Sequence, residues 1–108
     1  MCIPSVCHAV TVAEYNAAPN EVQNQAIVTI AKLTYKSLAE SGASSEKLEC
    51  VREFYARQEV TKGGHTYSTV PGFEAILDQI DIANQNGSTD LRIEDLLLGT
   101  INAHCGDR

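Results

Sequence analysis

Four cysteines and three histidines hold most of the reactive chemistry in this chain of 108 residues. Cys2, Cys7 and His8 stand together at the start, Cys50 lies near the middle, and His104 and Cys105 adjoin near the end. Sulfur and imidazole in that placement suit a cross-link or a metal; reduced, the same cysteines serve as small hydrophobes. Four cysteines permit three pairings. Packing of the last helix against the helix that carries Cys50 would bring Cys50 to Cys105, leaving Cys2 with Cys7 in a small loop. A bridge from 50 to 105 closes a long loop and contributes about 4 kcal/mol in the chain-entropy picture. The metal alternative draws on Cys2, Cys7, His8, His104 and Cys105, a thiolate and imidazole mixture that suits zinc if the termini meet. The four residues between Cys2 and Cys7 sit at the long edge of zinc-ligand spacing. The run from Cys2 to His8 is also a stretched relative of the haem attachment signal. Haem needs a long apolar cleft and a second axial ligand, which only His65 or His104 would supply, so no cofactor is expected.

His65 is the one histidine away from the termini, and it sits among Lys62, Gly63, Gly64, Tyr67 and Ser68. Paired glycines let backbone approach a partner closely. A single imidazole with no acid placed to orient it does not make a catalytic triad. Lys62-Gly63-Gly64 lacks the glycine, lysine and hydroxyl order of a phosphate loop. Lys62, His65 and Tyr67 are therefore read as candidate partner-binding residues, not as an active site. Glu74, Asp78 and Asp81 are the second candidate set, since their spacing places three carboxylates on one helical face. From 63 to 95 there are six acids against one base, Arg92. Such a face keeps a protein soluble, and it also speeds encounter with a basic partner protein. Exposed on a helix, those acids lack the burial that tunes carboxylates for hydrolysis.

Charge and hydropathy narrow the classes further. The formal net charge is −6, which opposes nucleic-acid binding, because phosphates call for a basic stripe. It equally opposes adsorption to anionic lipid. No apolar run approaches the ~20 residues that cross a bilayer. Hydrophobic residues make up 44%, too many for disorder, yet only two Phe and no Trp are present. The core must then be mostly Leu, Ile, Val and Ala. Residues 1–10 lack Lys and Arg and are interrupted by Pro4, Ser5 and His8, so they do not form a complete signal peptide. Paired cysteines would place the chain in the periplasm or outside the cell, free thiols in the cytoplasm.

The elements that must position these residues read as helices. Thr11-Val12-Ala13-Glu14 is a capping box, and the short helix it opens should stop before Pro19. Asn20 is a fresh cap for a helix to Glu40, with Val22, Ala26, Ile30 and Leu33 as its stripe, widened by Ile27, Thr34 and Leu38. Gly42 ends that region. Ser44 or Ser45 caps a third helix with Leu48, Val51, Phe54 and Tyr55 inward, and with Glu53 and Arg57 forming an i,i+4 pair outward. Residues 61–72 hold three glycines and a proline and are expected to form a loop, with an extended piece over 66–70 and no strand partner. A fourth helix starts near Pro71 with Phe73, Ile76, Leu77, Ile80 and Ala83 inward. A fifth starts after Ser88, Thr89 or Asp90, with Ile93, Leu96, Leu97, Thr100, Ile101 and His104 on its buried side. Gly99 inside it costs about 1 kcal/mol against Ala unless a neighbour packs close. Asn86-Gly87-Ser88 matches a glycosylation sequon, though a helix stop and a cap already account for it.

The fold expected is an all-α bundle of four to five helices in one domain, 1–10 being a cysteine-bearing lead and 11–108 the helical body. In architecture the chain resembles small disulfide-linked helical proteins of the bacterial envelope, among them immunity proteins that neutralise secreted toxins. That likeness implies an inhibitor, immunity or envelope accessory role, reached through an acidic surface and not through catalysis. The alternative is a metal- or small-molecule-binding module built on the terminal cysteines and histidines.

Overall fold

The structure, a computed structural model, describes residues 10–106. Five helices and one hairpin follow in order: α1 (Val12–Ala17), α2 (Asn20–Glu40), α3 (Ser45–Phe54), β1 (Gln58–Lys62), β2 (His65–Thr69), α4 (Pro71–Gln85) and α5 (Ile93–Cys105). The architecture is thus mostly helical, but not all-α.

The capping residues act as their chemistry predicts. Thr11 Oγ1 accepts from the Glu14 amide at 3.1 Å, while the Thr11 amide donates to the Glu14 carboxylate at 3.0 Å. Ser44 Oγ accepts from the Lys47 amide at 3.1 Å and starts α3. Pro71 occupies the first turn of α4, where its missing N–H costs nothing. Beside α1 the chain borrows partners from the segment before α5. The Val12 amide donates to the Leu91 carbonyl and the Ile93 amide to the Val10 carbonyl, at 2.9 and 2.8 Å. Asn16 and Asn84 exchange side-chain hydrogen bonds, so α1 is also tied to α4.

Val12, Tyr15, Ile27, Ile30, Val51, Phe54, Ile76, Ile80, Ile93, Leu97 and Ile101 form one apolar core shared by all five helices. Two stripes run differently from the periodicity reading. On α2 the buried residues are Ala26, Ile27, Ile30 and Ala31, while Val22 and Leu33 are each 47% exposed. The neighbouring helices cover a narrow strip, and a stripe drawn through 22 and 33 lies one residue off its centre. On α5 the stripe ends on Cys105, not on His104, which stays exposed. On α4, Leu77 falls outside the core for the same reason as Val22.

The expected loop over 61–72 is replaced by an antiparallel hairpin that begins earlier. Gln58 faces Thr69, Val60 faces Tyr67, and Lys62 faces His65 across it. Gly63 and Gly64 both take positive φ, +59° and +79°, which is what a two-residue hairpin turn with the right twist requires. Thr61 and Thr66 hydroxyls meet at 3.0 Å on the face opposite Val60 and Tyr67. Helix α3 stops at Phe54, so Arg57 lies beyond it and the expected Glu53–Arg57 helical pair has no helix to carry it. Arg52 bonds Glu49 instead, on the solvent side of α3.

Candidate functional site

Helices α4 and α5 pack side by side, and the end of α3 closes one end of the furrow between them. The resulting groove is open to solvent and has a volume of about 600 Å³. Its floor is apolar, from Phe54, Ala75, Leu96 and Ala103, and its polar residues include Asp78 from α4, Asp95 from α5 and His104 at the α3 end.

Gly99 lines the groove from α5. A β-carbon placed there would meet nothing within 4 Å. Gly99 is therefore not explained by close packing, and a helix accepts its cost of about 1 kcal/mol with no packing return.

The three acids expected on one face of α4 have separate fates. Glu74 accepts a hydrogen bond from the Thr69 hydroxyl, which fastens the end of β2 to the first turn of α4. Asp78, one turn on, lines the groove and makes no hydrogen bond or ion pair in the described structure. Asp81 accepts from the Gln85 amide group at 3.1 Å. Across the groove, Asp95 takes Arg92 Nε at 3.0 Å, and the guanidinium is drawn to Glu94 as well. Those acids raise the Arg92 pKa above its ordinary value, first through the Asp95 hydrogen bond. Asp78 is thus the groove carboxylate left free to meet an incoming cation.

Phe54 and His104 stack with ring centroids 4.3 Å apart and planes 11° from parallel. Behind them Cys50 and Cys105 are joined in a disulfide, with Cα atoms 5.9 Å apart. The Cys50–Cys105 half of the pairing preferred from the sequence is formed, and it clamps the last residue of α5 to the middle of α3, while the Cys2–Cys7 half lies outside the described residues. Cys2, Cys7 and His8 lie outside the described residues, so the proposed terminal metal cluster is placed only in its His104 and Cys105 members. Of these, Cys105 is already bonded to Cys50.

Under the groove Tyr55 fills the angle between α3 and α4. Its ring packs edge-on against Phe54 and Phe73, at centroid distances of 5.3 and 5.9 Å. Burial pushes its phenol up to about 12, and the nearby Thr100 hydroxyl pulls slightly the other way. Thr100 nonetheless spends its proton on the Leu97 carbonyl at 2.7 Å. The buried Tyr55 oxygen has no partner in hydrogen-bonding geometry.

Lys62, His65 and Tyr67 fall on the hairpin, not on a loop. All three are exposed, and by strand alternation they share a face with Val60. Lys62 and His65 flank the turn as a cross-strand pair, so the candidate set is brought together as one cationic and aromatic surface. Asp95 and the Phe54–His104 stack are not legible from sequence as parts of this groove, His104 being read there only as a candidate metal ligand. The unexplained glycine inside α5 was the one signal that pointed there.

No family model, curated protein or solved structure matches the chain.

Proposed function

We propose that this protein is a non-enzymatic interaction module that docks a basic segment of a partner protein in the groove between α4 and α5. The observation that carries the reading is Asp78, a carboxylate with no partner among the described residues, beside an apolar floor that none of their side chains fills. A partner segment with an apolar residue and a neighbouring Lys or Arg satisfies both features. The apolar group takes the floor of Phe54, Leu96 and Ala103, and the cation meets Asp78. Burial of apolar area supplies affinity, and the acidic residues from 74 to 95 speed encounter. An inhibitor or immunity role accords with this surface. The hairpin, fastened to α4 through Thr69 and Glu74, offers Lys62, His65 and Tyr67 as a second contact beside it.

Two substitutions test the groove against a partner co-purified from the native host. Asp78→Lys should slow association by at least ~10-fold at low salt, with the difference shrinking as salt screens it. Gly99→Leu should strengthen α5, since Leu is the better helix former by just under about 1 kcal/mol, yet abolish binding by filling the floor. Unchanged association in both variants overturns the proposal. Loss of binding on Lys62 or Tyr67 substitution alone would move the interface to the hairpin.

A further inference from the structure

The disulfide and its neighbour form a second, latent site. Cys50 Sγ, Cys105 Sγ and a ring nitrogen of His104 all lie within 4.8 Å of one another. We infer that, once the Cys50–Cys105 bond is reduced, these three side chains bind a single soft metal ion of the Zn²⁺ or Cu⁺ class. The site is independent of the groove proposal, although His104 belongs to both.

The placement follows from the helices. Cys50 and Phe54 are one turn apart on α3 and so share a face. Phe54 stacks on His104 and holds the imidazole beside the sulfurs, while the next residue, Cys105, meets Cys50 directly. Zinc binds thiolate at about 2.3 Å and imidazole at about 2.0–2.1 Å, which places tetrahedral ligand atoms about 3.6–3.8 Å apart. Occupancy requires the two sulfurs to part to that spacing once the bond is opened, and a His104 ring nitrogen already lies within 4.8 Å of both. Two thiolates and one imidazole suit a soft or borderline ion and leave a fourth position for water or a partner's ligand. His104 is exposed, so the ion has an entry path, whereas both cysteines are shielded.

The chemistry balances with a dithiol as reductant. Two thiol–disulfide exchanges transfer two electrons and two protons to the protein, giving two cysteine thiols and the cyclic disulfide of the reductant. The ion then displaces both thiol protons to solvent and takes the neutral imidazole as its third ligand.

The test uses the full chain carrying Cys2→Ser and Cys7→Ser, so that only Cys50 and Cys105 supply sulfur. The protein is reduced, freed of reductant without oxygen, and titrated with Co²⁺, whose thiolate charge-transfer absorption reports sulfur ligation. One ion per chain with that absorption is expected in the reduced form and none in the oxidised form. His104→Ala should weaken binding at least ~10-fold, as loss of one of three protein ligands implies. Zn²⁺ should displace the Co²⁺ and abolish the band. Helical circular dichroism is followed throughout. If reduction alone lowers the helical signal, the ion should restore it, because ligation then drives folding. Absence of the band in the reduced chain overturns the inference, as does equal affinity in the His104 variant, or a lost helical signal that the ion fails to restore.

Discussion

Ile76 in α4 and Tyr67 in β2 are both large side chains with apolar surface, yet the first is sealed from water and the second is 48% exposed. The contrast extends to everything around them. The helical body is held by burial and by a disulfide that joins residues 55 apart in sequence. The hairpin, residues 58–69, buries no residue fully and gains its shape from a two-glycine turn and its own strand pairing. Two-stranded hairpins are marginal alone. This one rests on its turn and on two moorings at its base, Thr69 to Glu74 and the Gln58 amide group to the Glu53 carbonyl at 3.2 Å. Substitutions in the body should therefore move global stability, while those in the hairpin should move local order and recognition.

The largest effect should come from the disulfide. Replacing Cys50 and Cys105 by Ser removes a constraint on a loop of 55 residues, worth about 4 kcal/mol in the chain-entropy picture. Denaturant unfolding followed by helical circular dichroism should show the midpoint fall accordingly. A loss well under about 1 kcal/mol would mean that packing alone fixes the end of α5, and the body would then be less dependent on its staple than described.

Next comes Gly72, where the first turn of α4 meets the end of α3 inside the body. A β-carbon there would sit 2.5 Å from Tyr55 Cε1 and 2.7 Å from Cδ1. That ring is wedged between Phe54 and Phe73, so it has little room to yield. Gly72→Ala should cost about 1–3 kcal/mol, the range for overpacking, even though Ala is the better helix former. A stabilised variant in the same unfolding assay would show that the Tyr55 ring is free to move.

These two positions show what the sequence made legible. Cap chemistry is local, so Thr11, Ser44 and Pro71 announced their helices directly. Cysteine pairing was readable because the bundle brings α3 to α5. The hairpin was harder. Gln58-Glu59-Val60-Thr61-Lys62 carries one apolar residue and shows no buried face, because the strand has none. Gly63-Gly64 between Lys62 and His65 did carry the turn signal, but read alone it fits a loop equally well. The groove was beyond reach for another reason. It depends on how α4 and α5 sit against the tip of α3, and periodicity gives the face of a helix without its neighbour. Leu33 and Leu77 show the same limit from the core side, since each fits the stripe yet has no element over it among the described residues.

A smaller change separates burial from hydrogen bonding within the body. Tyr55→Phe deletes a buried hydroxyl that lacks a partner, so the variant should be neutral or up to about 1 kcal/mol more stable. Its pH dependence has a definite sign. The Tyr55 phenol is raised from 10.0 to about 12 by burial. Its contribution is full below pH 10.0 and is lost as pH climbs toward 12, where the unfolded chain releases a proton that the folded chain retains. Tyr55→Phe should flatten that alkaline decline in part, with Tyr15, also raised by burial, supplying a remainder. An identical alkaline profile in the variant would place the sensitive group elsewhere.

The smallest global effect tests the contrast most directly. Gly63→Ala with Gly64→Ala forces side chains into φ of +59° and +79°. Each left-handed residue costs about 1–2 kcal/mol, enough to open a two-stranded hairpin. If the hairpin stands on its own, the helices should unfold at nearly the same midpoint, within about 0.5 kcal/mol, while amides of 58–69 lose protection from hydrogen exchange. Partner binding through Lys62, His65 and Tyr67 would weaken in step with that loss, and binding confined to the groove would not. A global loss of several kcal/mol would instead make the hairpin a structural strut of the body. The exposed face of Val60 and Tyr67 would then be a by-product of fold stability and not a surface kept for recognition.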